Sequence, residues 1–260
     1  MDELIHRLTD EVKQKLLNQG LRISSPLSIS NKMKQKILKP EMLASYIDHT
    51  LLKPDTSHEE LEKIAKEAIQ YKFAAVCVNS SNISFVAKLL HGTRVLPIAV
   101  VGFPLGAAST NAKAFEAKEA VLAGAKEIDM VLNIGALKDL NYALVLYDIK
   151  SVVESTQPYP VKVILETSLL SQEEKVIACT LAKIAGAKFV KTSTGFGSGG
   201  ATVEDIKLMR RIIGPEMGVK ASGGIRTFKD AVAMIEAGAD RLGTSQGILL
   251  VTGKTNKYGY

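Results

Sequence analysis

Short apolar runs alternate with helical patterns from Tyr46 to the end of the chain. The runs, such as AVCVN, LPIAVV and VKVIL, are rich in Val, Ile and Leu and lack the strict alternation of a half-exposed strand. Such runs are typical of parallel strands that are covered on both faces. Between them, the spacing of apolar residues predicts helices over 58–71, 82–90, 110–123, 140–155, 172–185, 203–213 and 227–237, with a short last helix near the C-terminus.

The order of these elements predicts the fold. Eight strand-helix units follow one another within the range 43–260. Such a repeat favours an α/β fold of the (β/α)8 type, the TIM barrel, in which parallel strands close inside a ring of helices. A doubly wound open sheet is the alternative. We therefore expect one catalytic barrel domain over 43–260.

The segment 1–42 has a different pattern. Leu4, Leu8, Val12 and Leu16 lie on one stripe of an otherwise charged helix that ends near Gly20. A connection rich in Ser, Pro and Lys follows, and a second short helical piece precedes Pro40. We predict an N-terminal helical extension over 1–42 that packs on the barrel.

The composition of the chain argues against several classes of function. The 33 Lys and Arg residues exceed the 27 Asp and Glu residues, giving a net charge of +6, but the two signs are mixed along the helices. This distribution does not indicate a nucleic-acid surface. Cys77, Cys179 and four scattered histidines lack the spacing of a metal site or a disulfide scaffold. No run of 18 apolar residues occurs, so we predict a cytoplasmic protein without a membrane partner.

Lys191 stands within an apolar strand, directly before a loop rich in glycine. Burial disfavours the charged form of lysine, and a pKa lowered from about 10.4 to about 7 or 8 makes its amine a carbonyl nucleophile. We therefore predict a Schiff-base lysine. The alternative is a structural lysine whose ammonium reaches solvent at the end of the sheet.

Two further strand lysines flank this position at equal spacing. Lys162 precedes Lys191 by 29 residues (191 − 162 = 29), and Lys220 follows it by 29 (220 − 191 = 29). Lys220 on the next strand would lower the pKa of Lys191 further by like-charge repulsion. Asp129 lies in the middle of a strand, where a carboxylate needs a cation. Asp129 and the lysines are therefore predicted to form one cluster, the alternative being a purely structural ion pair.

Anion recognition is predicted at the last three strand ends. Glycine-rich loops follow the sixth, seventh and eighth strands, where TIM barrels bind phosphate through backbone amides and helix N-termini. Plain turns are the alternative interpretation. The candidate phosphate-binding residues are Gly195, Gly223, Gly224, Arg226, Gly243, Thr244 and Ser245.

Six ungapped motifs between Tyr46 and Gly247 resemble one family. They are IDHTLLKP, VGFPLGA, EIDMVLNIGAL, VKVILET, FVKTSTGFGSGGAT and VKASGGIRT. In this order they are similar to the deoxyribose-phosphate aldolases, class I lyases on a TIM barrel. The resemblance implies reversible cleavage of 2-deoxy-D-ribose 5-phosphate to D-glyceraldehyde 3-phosphate and acetaldehyde, without a metal or an organic cofactor. It also implies a homodimer or homotetramer.

The same resemblance implies roles for individual residues. Lys191 would form the imine, Lys220 would perturb its pKa, and Asp129 would take part in proton transfer. The residues that resemble the secondary pocket groups of the family are Lys162, Asp48, Thr50, Cys77 and Thr192. For Cys77, a small buried apolar side chain is an equal alternative.

Two positions and two other functions stay open at this stage. Some relatives carry lysine where this chain has Phe196, and the tail of the family can end in a catalytically useful tyrosine, as this sequence ends in Tyr260. A phosphosugar isomerase would use Glu166 as its base instead of Lys191. A non-catalytic phosphosugar-binding barrel would need none of the lysines.

Overall fold

A computed structural model describes residues 2–21 and 39–253. Within these residues, eight parallel strands form a closed barrel in sequence order, and β8 pairs with β1. The predicted TIM barrel is confirmed, and the open sheet is not formed. The strands are β1 (Ile47–Leu51), β2 (Ala75–Asn79), β3 (Leu96–Val101), β4 (Glu127–Val131), β5 (Val161–Ile164), β6 (Phe189–Lys191), β7 (Gly218–Ser222) and β8 (Arg241–Thr244).

Helices connect the strands and begin at residues that can cap them. Ser57 forms a capping box with Glu60, which fixes the start of the helix after β1. The helices of the described residues are α1 (Asp2–Asn18), α2 (His58–Tyr71), α3 (Ile83–Leu89), α4 (Thr110–Leu122), α5 (Ile134–Lys138), α6 (Tyr142–Ser155), α7 (Gln172–Ile184), α8 (Val203–Ile213), α9 (Phe228–Ala237) and α10 (Gly247–Thr252).

The predicted helix over 140–155 begins two residues later, and a short helix, α5, precedes it. Asn133 caps α5 by accepting a hydrogen bond from the backbone of Ala136. Asn141 caps α6 in the same way, with Leu144 as the donor. Two asparagine caps eight residues apart in sequence (141 − 133 = 8) divide this segment into two helices.

The two faces of the barrel have different chemistry. Side chains that point outward from the strands join the main apolar core under the helices. Ala75, Cys77, Ile98 and Val100 form a separate apolar cluster. Because Val100 is in register with Asp129, and successive strand residues alternate between faces, this cluster lines one side of the barrel interior. The opposite side carries the charged residues described below.

The helix α1 packs on the outside of the barrel against α6 and α7. Its buried stripe consists of Ile5, Leu8, Val12 and Leu16, while Leu4 is only partly buried. The second short helical piece predicted before Pro40 lies outside the described residues, and so does Tyr260.

A buried ion pair joins α4 to α6. Lys113 Nζ lies 2.7 Å from Asp148 Oδ2, and neither side chain is exposed to solvent. The ammonium also donates to the backbone oxygen of Val131, the last residue of β4, and Thr110 donates to the other carboxylate oxygen. This pair fixes two helices to the strand that carries Asp129.

Replacing Asp148 by asparagine should destabilise the protein strongly, because it leaves the Lys113 ammonium buried without a counter-ion. Breaking one partner of a buried pair costs about 3 to 5 kcal/mol. The free energy of unfolding in urea measures this effect. The matched control is Glu62→Gln, which removes an exposed pair with Lys66 and should cost less than about 1 kcal/mol. A loss for Asp148→Asn as small as that of the control would contradict the prediction.

Candidate active site

Lys191 is the last residue of β6, and its side chain points into the barrel interior. It is 1 % exposed, and its Nζ donates to Asp129 Oδ2 over 3.0 Å. Phe189 has the same side-chain direction two residues earlier, while Val190 between them is buried in the outer core. The strand alternation therefore places this amine inside the barrel rather than in solvent.

Asp129 is the centre of the charged cluster. Its Oδ1 accepts a hydrogen bond from Lys162 over 2.9 Å, and its Oδ2 accepts from Lys191 and from Lys220, the latter over 2.7 Å. Burial by itself would raise the pKa of Asp129, but the three ammonium groups outweigh it and hold the pKa well below its usual range. Asp129 is therefore a carboxylate with three cationic partners.

Lys220 is the best paired of these lysines. Besides its hydrogen bond to Asp129, its Nζ lies 2.6 Å from Asp48 Oδ2, an ion pair that lacks the angles of a hydrogen bond. Burial lowers the pKa of Lys220, but the two carboxylates more than offset this and raise the pKa above its ordinary value. Lys220 thus stays an ammonium.

Lys191 differs from Lys220 in the direction of its pKa shift. Burial lowers its pKa most strongly, the attraction of Asp129 opposes this in part, and the like charge of Lys220 lowers it again. The two amines are in register on neighbouring strands, so they share one carboxylate oxygen. Of the two, Lys191 is the amine that loses its proton more easily.

The equal spacing of the three lysines does not place them at equal heights. Lys191 is in register with Lys220, but its partner on β5 is Ile164, two residues beyond Lys162. The register of β5 with β6 pairs Lys162 with Phe189, two residues before Lys191, so Lys162 reaches Asp129 from lower in the barrel and also contacts Glu127.

Sequence reasoning missed two members of this cluster. Glu127, at the start of β4, and Arg241, at the start of β8, bind each other and extend the network toward the amino ends of the strands. Arg241 also donates to Asp48. The signal was available, because Glu127 precedes Asp129 by two residues and therefore shares its face of the strand. We considered only residues at the carboxyl ends of the strands, and Glu127 lies at the amino end of β4.

The remaining predicted pocket residues differ in their positions. Cys77 is buried, and burial raises the pKa of its thiol, so it is held as a neutral thiol. Thr50 lies two residues after Asp48 on the same face of β1 and donates to the backbone oxygen of Asp48. The hydroxyl of Thr192 instead exchanges hydrogen bonds with the backbone of Ser222 and joins β6 to β7. Its contacts are therefore with the barrel wall.

The three glycine-rich loops adjoin one another. The backbone nitrogen of Ala201, after β6, donates to the oxygen of Gly223, after β7, and a Cβ on Gly200 would meet that oxygen at 2.5 Å. Thr244, the last residue of β8, donates to the backbone oxygen of Ile225. These contacts bring the candidate phosphate-binding loops together at the carboxyl ends of the strands.

Individual members of the candidate phosphate set fit this position. Gly195, Gly223 and Gly224 have φ values of +87°, +85° and +78°, which only glycine adopts readily. Gly243 lies within β8, not in the loop after it, and a Cβ there would meet the side chains of Ser222 and Lys220, so this position lies directly against the charged cluster. Ser245 and the side chain of Arg226 are exposed.

Aromatic and acidic side chains support the loop after β6. Phe196 is 54 % exposed, and its ring packs edge to face on Phe103 with 5.3 Å between centroids. Glu166, in a left-handed conformation with φ of 54°, accepts hydrogen bonds from the backbone and the hydroxyl of Thr194. Oε2 of Glu166 thus holds this loop, while its buried Oε1 has no hydrogen-bond partner among the described residues.

Within residues 2–21 and 39–253, no three His, Cys, Asp or Glu side chains are grouped as metal ligands would be. Over the same ranges, no helix is long and apolar enough to cross a membrane. The chemistry described here is that of amines, carboxylates and backbone amides.

Comparison with known proteins agrees with this geometry. The family described as DeoC/LacD family aldolase matches residues 42–253. The chain is 55 % identical over 218 residues to the deoxyribose-phosphate aldolase of Macrococcus caseolyticus, covering 84 % of this chain and 99 % of that protein. It is 58 % identical over 212 residues to the enzyme of the same name from Streptococcus sanguinis, covering 82 % and 96 %.

Solved structures show the same architecture. The deoxyribose phosphate aldolase of Aeropyrum pernix, described as having a unique tetrameric structure, superposes with a TM-score of 0.78 at 34 % identity. The alignment covers 84 % of this chain and 92 % of that one. An aldolase designated QR15 superposes with a TM-score of 0.76 at 41 % identity, covering 79 % and 92 %.

Proposed function

The chain belongs to the DeoC/LacD family of aldolases, and from this premise we infer a reversible aldol cleavage of 2-deoxy-D-ribose 5-phosphate. The products are D-glyceraldehyde 3-phosphate and acetaldehyde, and the reaction proceeds through a Schiff base that we assign to Lys191. One observation carries the assignment. Lys191 is a buried amine that shares a single carboxylate oxygen with Lys220, the better-paired lysine, so it loses its proton more readily than Lys220.

The first step uses the neutral amine of Lys191. Its nitrogen attacks C1 of the open-chain sugar, and loss of water from the carbinolamine gives a protonated imine. Asp129, 3.0 Å from the amine, can accept the proton that Lys191 releases. The positive nitrogen is then bonded to C1, next to C2, and can take up the electron pair of a bond that breaks at C2.

The second step breaks the C2–C3 bond. A base removes the proton of the C3 hydroxyl, the electron pair of the C2–C3 bond moves into the imine, and glyceraldehyde 3-phosphate leaves. The resulting enamine is protonated at C2, and hydrolysis releases acetaldehyde and the amine. We assign these proton transfers to Asp129 with Lys220, because the 2.7 Å hydrogen bond between them joins a proton acceptor to a donor.

The loops after β6, β7 and β8 are proposed to hold the phosphate. Their contacts bring backbone amides to one edge of the site, and Gly223 and Gly224 let the backbone approach the oxygens closely. Arg226 is exposed beside these loops and could add a charge-assisted hydrogen bond. With Phe196 at the rim, the affinity for phosphate would depend on these amides and on Arg226.

The two alternative functions are not favoured. An isomerase would use Glu166 as its base, whereas the matched family and the named relatives are aldolases. Thr194 also donates two hydrogen bonds to Oε2 of Glu166. A non-catalytic binding barrel would leave the buried lysine cluster without a chemical role. A homodimer or homotetramer and a cytoplasmic location are part of this proposal, and the tetramer described for the Aeropyrum relative supports the former.

A direct assay tests the proposed reaction. The purified protein should release glyceraldehyde 3-phosphate and acetaldehyde in equal amounts from 2-deoxy-D-ribose 5-phosphate. Ribose 5-phosphate, which differs by a hydroxyl at C2, serves as the comparison substrate. Isomerisation of either sugar without formation of acetaldehyde would overturn the proposal.

Gly200→Ala should weaken recognition of phosphate selectively. The added Cβ would lie 2.5 Å from the backbone oxygen of Gly223, so the two loops must separate. Loss of one charged hydrogen bond of about 1.5 to 3 kcal/mol predicts a KM increase of roughly 10-fold to 150-fold for the phosphorylated sugar. The same kinetics with 2-deoxyribose should be unchanged.

Gly135→Ala is the control for this prediction, because its added Cβ would meet its nearest atom at an ordinary distance of 3.8 Å. It should leave both substrates unaffected. An equal loss with the phosphorylated and unphosphorylated sugars in Gly200→Ala would argue against a phosphate site at these loops.

A further inference from the structure

Arg241 lies at the floor of the charged cluster, toward the amino ends of the strands. Its guanidinium donates to Asp48 Oδ1 from Nε over 2.7 Å and from Nη2. It also reaches both oxygens of Glu127 over 3.3 Å. Asp48 is on the neighbouring strand β1, whereas Glu127 is on β4 across the barrel. One guanidinium therefore binds carboxylates on two sides of the barrel.

The other carboxylate contacts are unevenly distributed among the lysines. Lys162 contacts both Glu127 and Asp129, and Lys220 contacts both Asp48 and Asp129. Among the carboxylates that the structure describes, Lys191 contacts only that of Asp129, through Oδ2, an oxygen that Lys220 approaches more closely. Lys191 therefore has the weakest share of negative charge.

A count of charges in this described cluster leaves one cation in excess. Four side chains can be positive and three are carboxylates. They are Lys162, Lys191, Lys220 and Arg241 on one side, and Asp48, Glu127 and Asp129 on the other. Arginine keeps its charge under all physiological conditions. An excess charge in a buried site is costly, so a lysine is the residue that loses its proton.

Within residues 2–21 and 39–253, the other walls that face this cluster supply no further charge. Cys77 on β2 is a neutral thiol because burial raises its pKa, and β3 contributes the apolar Ile98 and Val100. The excess positive charge consequently falls on the lysine with the smallest share of carboxylate.

We propose that Arg241 is a positioning residue that occupies Asp48 and Glu127 and thereby leaves Lys191 as the surplus cation of the barrel interior. The proposal rests on the proposed role of Lys191 as the Schiff-base amine. Arg241 does not touch the reacting atoms. It acts by binding carboxylates whose negative charge would otherwise stabilise the ammonium of Lys191.

The pH dependence of imine formation tests this proposal. The full-length protein is incubated with acetaldehyde and a borohydride reductant from about pH 5 to about pH 10, and the rate of labelling at Lys191 is measured. In Arg241→Met, three cations face three carboxylates, so the midpoint of the profile should rise by about one pH unit. Labelling near neutral pH then falls about tenfold and recovers at alkaline pH. A loss of the same factor at every pH would indicate a merely structural role and overturn the proposal.

Two further variants keep the test decisive. Arg241→Lys retains the count of four cations and should restore the wild-type midpoint. Glu127→Gln removes one carboxylate and should move the midpoint down, and adding Arg241→Met to it should move the midpoint up again. If Arg241→Met alone does not fold, the midpoint of the double variant is compared with that of Glu127→Gln. An unmoved midpoint there would contradict the proposal.

Arg210→Met is the control for loss of a buried arginine. Its guanidinium binds Asp240 and the backbone oxygens of Gly214, Met217 and Gly238, outside the barrel interior. It should lower stability without moving the midpoint.

Labelling of Lys191 in the wild-type protein must be observed first. Its absence would count against the proposed function, whereas wild-type labelling with an unmoved midpoint in the variants would count against the role of Arg241 alone.

Discussion

Replacing Lys191 by arginine should abolish the aldolase reaction. A guanidinium remains protonated at all working pH values and cannot form an imine with an aldehyde. The expected loss in kcat is on the order of 10⁴-fold to 10⁶-fold, the range seen when an enzyme loses its nucleophile. The positive charge is kept, so an electrostatic role for Lys191 would survive the substitution while a nucleophilic role would not.

The control for Lys191→Arg is Lys188→Arg, an exposed position three residues earlier in the chain (191 − 188 = 3). It should leave kcat unchanged. Circular dichroism and unfolding in urea should show that both variants are folded. Turnover of Lys191→Arg within tenfold of the wild-type protein would exclude Lys191 as the Schiff-base residue.

Asp129→Asn should separate imine formation from the later proton transfers. An amide cannot take up the proton of the C3 hydroxyl, so kcat should fall by roughly 10²-fold to 10⁴-fold. The attraction of Asp129 opposes the lowering of the pKa of Lys191, and its removal should lower that pKa further. Lys191 should therefore still be labelled by acetaldehyde and borohydride, although turnover is largely lost.

Asp129→Asn also removes the carboxylate shared by three ammonium groups, so we expect it to destabilise the protein by about 3 to 5 kcal/mol. Asp148→Asn is the matched control, because it breaks a buried pair outside the barrel interior at a similar cost in stability. At a temperature where both variants are folded, Asp148→Asn should keep its kcat. If both lose kcat equally, the loss reflects stability and not proton transfer.

The barrel could be predicted from the sequence because its strands and helices repeat with distinct periods. The helices over 58–71 and 203–213 have the predicted bounds, and the strand around Lys191 lies where the apolar run indicated. The alternation of side chains along β6 and β7 also explains why two lysines on neighbouring strands face the same interior. These features depend on local pattern alone.

Other features depend on register and helix packing, which local pattern does not contain. The lysines are equally spaced in sequence, but the register of β5 with β6 pairs Lys162 with Phe189, so Lys162 lies two residues lower than Lys191. The pair of Lys113 and Asp148 depends on the contact between α4 and α6. Arg241 and Glu127 meet only because β8 and β4 face each other across a closed barrel.

The most direct test is identification of the lysine that is labelled by acetaldehyde and borohydride. Digestion and mass spectrometry of the wild-type protein should show one added ethyl group, on the peptide that contains Lys191, and none in Lys191→Arg. A label on Lys162, on Lys220 or on no lysine would contradict the assignment of the Schiff base to Lys191.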